Sequence, residues 1–119
     1  MTGSRLHLVG PLGFSLESKA LRRAGLDYWE DLRPEVYPDW LDFEARALRG
    51  QSGRMHLFTA RAGRSLFQAA FAPGDFLVFG QEQLGLPPAL LDALPGRCLS
   101  IPMLEGRRSL NLAVAVGVA

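Results

Sequence analysis

The scarcities of this chain narrow the field before any motif does. Cys98 is the only cysteine, so no internal disulfide can form and no cysteine-rich zinc site exists. Its apolar surroundings mark it as a buried, inert thiol. His7 and His56 are the only histidines. Neither stands at metal-ligand spacing from another His, Asp or Glu, so a structural role is expected for both, and no metal. Neither a P-loop nor a G-x-G-x-x-G turn occurs, which disfavours an ordinary nucleotide-binding α/β domain. The longest apolar run, Leu112 to Ala119, is too short to span a bilayer. The first ten residues lack the charged start and apolar stretch of a signal peptide. A cytoplasmic protein without a membrane partner is therefore expected.

Charge of one sign is missing too. The formal net charge is +1, whereas a wholly basic nucleic-acid binder would carry a strong positive excess. A local basic patch stays open. Lys19 is the only lysine among 13 basic residues. The guanidinium fork suits phosphate, but a compositional bias of the source explains most of this arginine excess. Position in the chain must decide individual cases.

What is present is ordinary globular material. Apolar residues make up 48% of the chain and charged ones 21%, enough for one domain with a real core. Leu6, Leu8 and Val9 read as a short strand, and Gly10-Pro11-Leu12-Gly13 as a turn. Ser15 can cap a helix from Leu16 that stops at Gly25. A second helix is expected from near Pro38 to just before Gly50, with Leu41, Ala45 and Leu48 at helical spacing. Met55 to Thr59 reads as a strand. Leu66, Phe67, Ala70 and Phe71 suggest a short helical segment. Phe76 to Phe79 is the clearest buried strand. A short helix starts at Pro87-Pro88 and ends at Pro95-Gly96. Cys98 to Ile101 is the next strand, and Leu110 to Ala119 reads as a buried helix. Strands alternating with helices predict an α/β layer fold with a mainly parallel sheet and helices on both faces.

Ligands of such sheets bind beyond the carboxyl ends of strands, which singles out three segments. They are Phe58-Thr59-Ala60-Arg61, then Gly80 to Pro87 (G-Q-E-Q-L-G-L-P), then Ile101 to Leu112 (I-P-M-L-E-G-R-R-S-L-N-L). Taken singly, each has a plain explanation: glycines that turn the chain, Ser109 as a helix cap, Glu82 as a solvated acid. Together, F-G-x-E-x-x-G-L-P followed by I-P-M…R-S-L-N-L resembles the second and third motifs of SPOUT RNA 2′-O-methyltransferases. Leu12-Gly13-Phe14 and Leu21-Arg22-Arg23-Ala24-Gly25-Leu26-Asp27-Tyr28-Trp29 resemble the subfamily that methylates the wobble nucleotide, cytidine or uridine 34, of leucine tRNAs.

The resemblance spans essentially the whole chain and carries several implications. It implies one SPOUT domain over residues 1–119 with a C-terminal deep trefoil knot, a feature that local sequence reasoning would not propose. It implies S-adenosylmethionine as cofactor, tRNA (the anticodon stem-loop) as partner, and a homodimer. By matching position, Phe58, Gly80, Ile101 and Ser109 would contact the cofactor, with Thr59, Glu82, Met103 and Leu110 as neighbours. Ser109, Asn111 and Arg108 would form the catalytic group, and Arg22 and Arg23 would bind RNA. The chain also departs from the family. The first strand, the first motif N-x-G-x-x-x-R and most of the first helix are missing before Thr2-Gly3-Ser4. The last helix stops at Ala119, short of a Tyr-Glu continuation. A catalytically impaired domain that binds only cofactor or RNA, or a SPOUT enzyme acting on another RNA, stays open as an alternative.

Overall fold

The computed structural model describes residues 3–12, 31, 33–51, 54–106 and 110–119. The helix expected from Leu16 to Gly25 lies outside them, together with Arg22, Arg23, Arg108 and Ser109. The chain divides into two compact units, Met1–Gly50 and Gln51–Ala119.

In the first unit, β1 (His7–Val9) pairs in parallel with β2 (Glu35–Tyr37), with His7 opposite Glu35 and Val9 opposite Tyr37. The sequence pattern does not announce β2, a three-residue strand whose partner β1 lies far upstream. Gly10 ends β1 where its amide donates to the Tyr37 carbonyl at 2.8 Å. A Cβ there would stand 2.7 Å from the Pro38 carbonyl oxygen, so only glycine fits without a shift. The buried Tyr37, Phe43 and Leu48 form this unit's core. The Tyr37 hydroxyl donates to Glu35 at 2.8 Å and stands 3.0 Å from His7 Nδ1. Its single proton is spent on Glu35, so His7 is the donor in that second contact. His7 thus has the expected structural role.

The second helix begins later than Pro38 and changes type. Asp39 caps it, accepting from the Asp42 amide at 2.8 Å, and α1 covers Trp40–Phe43. The helix then widens into a π-turn at Glu44–Leu48, closed by an Arg49 amide to Glu44 carbonyl bond of 2.9 Å. That five-residue reach defines the wider turn, and it moves Leu48 into the core.

The second unit holds a three-stranded parallel sheet in the order β4-β3-β5: β3 is Met55–Phe58, β4 Phe76–Phe79 and β5 Cys98–Leu99. Every residue of the central β3 is buried, as expected for a strand covered on both faces. β4 corrects the expectation of a clearest buried strand. It flanks β3, and Leu77 is 42% exposed. An apolar run identifies a strand but not how many neighbours cover it. β5 is shorter than expected, although Ser100 still bridges to Ser65.

Leu66 to Phe71 does not form the expected helical segment beyond a single 3₁₀ turn, Leu66–Gln68. α2 runs over Pro88–Ala93, and a 3₁₀ turn at Pro95–Arg97 leads into β5. The last helix, α3 (Leu112–Val118), contains no buried residue. Leu112, Ala115 and the following Ala119 are half-buried, one narrow stripe at helical spacing, while Val116 is 50% exposed. The expected buried helix is corrected accordingly: its apolar composition exceeds the surface it packs on.

The amino end of this sheet is pinned. His56 on β3 is buried, and its Nε2 lies 3.0 Å from Oδ2 of Asp75, in the turn before β4. The same oxygen accepts from the Ala72 amide at 2.8 Å, and Arg54 Nε donates to the other at 3.3 Å. Arg54 also donates to the Pro73 carbonyl. The hydrogen bond from His56, followed by that from Ala72, holds the Asp75 carboxyl down at about 2. The Phe71 ring packs against His56 with centroids 4.6 Å apart. His56 therefore also has its expected structural role.

Candidate functional site

Parallel pairing brings three strand ends to one edge. Phe58 lies opposite both Phe79 and Leu99, so the segments after β3, β4 and β5 leave the sheet side by side. Phe58 and Phe79 stack with centroids 4.7 Å apart and planes at 10°. Phe58, Leu66 and Leu99 form a buried cluster, with Ile101 packed against it. The Thr59 amide donates to the Leu99 carbonyl at 2.9 Å, fixing the first step out of β3.

The segment after β4 folds back on itself. The Gly85 amide donates to the Gln81 carbonyl at 2.8 Å, and Leu86 is buried behind the turn. A Cβ on Gly80 would lie 2.1 Å from the Gly85 carbonyl carbon and 2.2 Å from the Leu86 nitrogen. Nothing larger than hydrogen fits there while the loop is closed. The loop exposes backbone and the Glu82 side chain at the strand end.

The segment after β5 runs from half-buried Ile101 across exposed Met103 to Leu110 and Asn111. Asn111 has two tasks. Its Oδ1 accepts from the Ala113 amide at 2.9 Å and caps α3, while its Nδ2 donates to Glu82 Oε1 at 3.3 Å. The second bond ties the start of the last helix to the β4 loop. Asn111, one of the two polar residues expected at the mouth of this helix, is therefore its cap; Ser109 lies outside the described residues.

Of the residues singled out in the sequence, Phe58, Thr59, Gly80, Glu82, Ile101 and Asn111 come together at this sheet edge. Met103 and Leu110 lie on the segment that connects them. An open cleft of about 390 Å³ adjoins the edge. It is lined by Arg61, Arg64, Leu91, Asp92, Pro95 and Cys98 among others, and among the described residues Thr59 is the only expected cofactor neighbour that reaches it. The sequence motifs assign no part to Arg61 and do not include Arg64. The available signal was a pair of arginines three apart in a glycine-containing loop directly after a buried strand. Cys98 is half-buried, not buried as expected, since it lines the cleft. It gives its thiol proton to the Leu94 carbonyl at 3.4 Å, and partial burial pushes the thiol up from its ordinary value. That fits an unreactive thiol. Among the described residues, no cluster of three His, Cys, Asp or Glu could hold a metal, and no helix is long and apolar enough to cross a membrane.

Comparison with known proteins gives a consistent picture. The family model of the SpoU rRNA Methylase family matches residues 1–119. A protein of Burkholderia pseudomallei (strain 1106a) named tRNA (cytidine(34)-2′-O)-methyltransferase is 48% identical over 118 residues, covering 98% of this chain and 75% of the relative. A protein of the same name from Escherichia coli (strain K12) is 40% identical, covering 98% of this chain and 73% of the relative. Among solved structures, a candidate RNA methyltransferase from Bacillus anthracis superposes with a TM-score of 0.86 at 33% identity, covering 98% and 74% of the two chains. A structure from work on 2-OH methylation of C/U34 on tRNA gives 0.80 at 45% identity, covering 95% and 72%.

Proposed function

Because this chain belongs to the SpoU rRNA methylase family, we propose that it methylates the ribose 2′-hydroxyl of nucleotide 34, cytidine or uridine, in leucine tRNAs of the cytoplasm, using S-adenosylmethionine. The observation that carries this reading is the sheet edge itself: three parallel strand ends in register, closed by the Asn111–Glu82 hydrogen bond.

The residues present fit a nucleoside sulfonium. Phe58, Phe79 and Ile101 supply apolar surface, and the Gly80 loop brings backbone where no side chain could stand. In this reading Phe58, Gly80, Ile101 and Ser109 hold the cofactor, with Thr59, Glu82, Met103 and Leu110 beside them. When bound, S-adenosylmethionine supplies an electrophilic methyl group on a sulfonium. The chain's own contribution is alignment, since most of the rate gain in such a transfer comes from holding the two reactants in line. Asn111 fixes the β4 loop against the last helix, Ser109 orients cofactor or ribose, and Arg108 meets a phosphate of the anticodon loop. Arg22 and Arg23 add RNA contacts. A C-terminal trefoil knot, a single domain over 1–119 and a homodimer complete the reading.

The test is methyl transfer to a leucine tRNA with cytidine at position 34, followed by mass spectrometry of the nucleosides. A 2′-O-methylcytidine product that disappears when a 2′-deoxy residue replaces nucleotide 34 is expected. Methylation of ribosomal RNA alone would overturn the substrate assignment. Failure to bind S-adenosylhomocysteine in calorimetry would overturn the cofactor assignment.

A further inference from the structure

Phe67 is the most exposed aromatic ring among the described residues, at 79%. It does not hang on a loose loop. Ser65 and Gln68 cap each other across its turn, with Gln68 Oε1 accepting from the Ser65 amide at 2.9 Å. Leu66 anchors the turn in the buried cluster with Phe58 and Leu99. The Leu66 amide donates to the Ser100 carbonyl at 2.9 Å, and the Ser100 amide to the Arg64 carbonyl at 2.8 Å. The ring is therefore presented on a fixed support, tied to the residue before Ile101, itself part of the strand-end edge.

The surroundings are cationic. Arg64 Nη2 donates to the Gln68 carbonyl at 2.7 Å, which lays its guanidinium across the turn that carries Phe67. The rest of its donor fork is unengaged among the described residues. The Arg61 guanidinium has no hydrogen bond or ion pair among them either. Both arginines line the cleft beside Thr59, where Asp92 is the one acidic side chain among the described residues. An exposed ring on the same short segment as two arginines, one of them bonded across its turn, is a combination suited to single-stranded nucleic acid: bases stack on the ring and guanidiniums meet phosphates.

From this placement we propose that the segment Arg61–Gln68 is a second RNA-contact element, in which Phe67 stacks on an unpaired base next to the methylated nucleotide and Arg61 and Arg64 meet the flanking phosphates. The proposal rests on the methyltransferase reading above and deepens it. The turn lies on the segment that leaves the strand end at Phe58, which in that reading holds the cofactor. A nucleotide reaching the strand ends with its ribose brings its neighbours within reach of the turn. Support that is ordered before binding lowers the entropic cost of the contact.

The test uses the anticodon stem-loop of a leucine tRNA with cytidine 34, and the variants Phe67→Ala, Phe67→Tyr and Arg61→Ala. Loss of one base–aromatic stack weakens RNA binding by about tenfold. Phe67→Ala is expected to raise Kd and KM by that factor, with a smaller change in kcat and none in affinity for S-adenosylhomocysteine. Phe67→Tyr restores binding to within about twofold, because the π-face returns. Arg61→Ala reduces the slope of log affinity against log salt by about 0.7, one phosphate contact on a single strand. Unchanged Kd and salt slope in both alanine variants, with a wild type that binds and methylates, would overturn this proposal and leave the function standing. A wild type that neither binds nor methylates the RNA overturns both. If Phe67→Ala instead abolishes self-association in sedimentation and RNA affinity holds, Phe67 belongs to an interface between copies and the proposal fails.

Discussion

The two ends of the β4-β3-β5 sheet are built for different purposes. At the amino end, the buried His56 and Arg54 form a closed hydrogen-bonded group centred on the Asp75 carboxylate. At the carboxyl end, the strands run out into glycine-containing loops that leave Leu84, Leu104 and Phe67 largely in water. The polar groups of the first end are satisfied within the fold. Those of the second are held in place but left facing outward. Sites need some part of a fold to forgo internal contacts, and a sheet with one pinned end can leave the other open.

The sharpest way to break this contrast is at Gly80. Valine there would drive its side chain into the Gly85–Leu86 backbone, where even a Cβ would stand only 2.1 Å from the Gly85 carbonyl carbon. The loop must open, so methyl transfer and binding of S-adenosylhomocysteine should both fall to background. Overpacking costs about 1–3 kcal/mol of stability, and the pinned end should keep the chain folded. Near-normal turnover by Gly80→Val would show that the loop does not shape the site.

Asn111 separates capping from site organisation. Asn111→Asp keeps an acceptor for the Ala113 amide, and aspartate is an equally good helix cap. It replaces the donor facing Glu82 with a carboxylate, so attraction becomes repulsion. Stability should change by less than about 0.5 kcal/mol, while methyl transfer should drop by roughly tenfold, the loss of one charge-assisted hydrogen bond. Asn111→Ala should lose both, at a cost of about 1 kcal/mol in stability. If Asn111→Asp turns over like the wild type, Asn111 serves only the helix.

At the pinned end the effect should be purely one of stability. His56→Ala removes a buried ring from Phe71 and a partner from Asp75. A loss of about 2 kcal/mol is expected in urea denaturation, with KM and kcat unchanged. A kinetic effect as large as the stability effect would mean that the two ends are coupled.

The sequence made the open end more legible than the pinned one. Motifs such as Gly80 to Pro87 are contiguous, so their residues are near in space by being near in the chain. His56 and Asp75 are 19 positions apart, and no local pattern announces their contact. The same reason hid β2, whose partner β1 lies far upstream, and left Arg61 and Arg64 without a part, since Ser100 holds their loop from far along the chain. Local spacing gave the helix at Leu41, Ala45 and Leu48 but not its π-turn, because that turn depends on where the core needs Leu48. Exposure was the least readable quantity. Leu77 and the α3 valines are apolar, but their burial depends on neighbours that a single strand or helix does not specify.

The remaining expected effect is a drift with pH, without a change in the site, and its sign is fixed by the pinned end. The folded-state Asp75 carboxyl sits at about 2, below its ordinary value of 3.8. A carboxyl depressed by folding stabilises the native state fully above its unfolded value and loses that contribution as pH falls through the folded one. Stability from Asp75 should therefore be flat above about pH 5 and decline from about pH 4 toward pH 2. Glu35, lowered chiefly by the Tyr37 hydrogen bond, adds to the same decline from the first unit. Urea midpoints measured from about pH 6 down to about pH 2.5 would follow it. In Asp75→Asn the starting stability should be lower and the acid slope shallower, because the group that takes up the proton is gone. A slope identical to that of the wild type would mean that the His56–Asp75 bond contributes nothing to acid sensitivity, and that the closed end is held by its apolar packing alone.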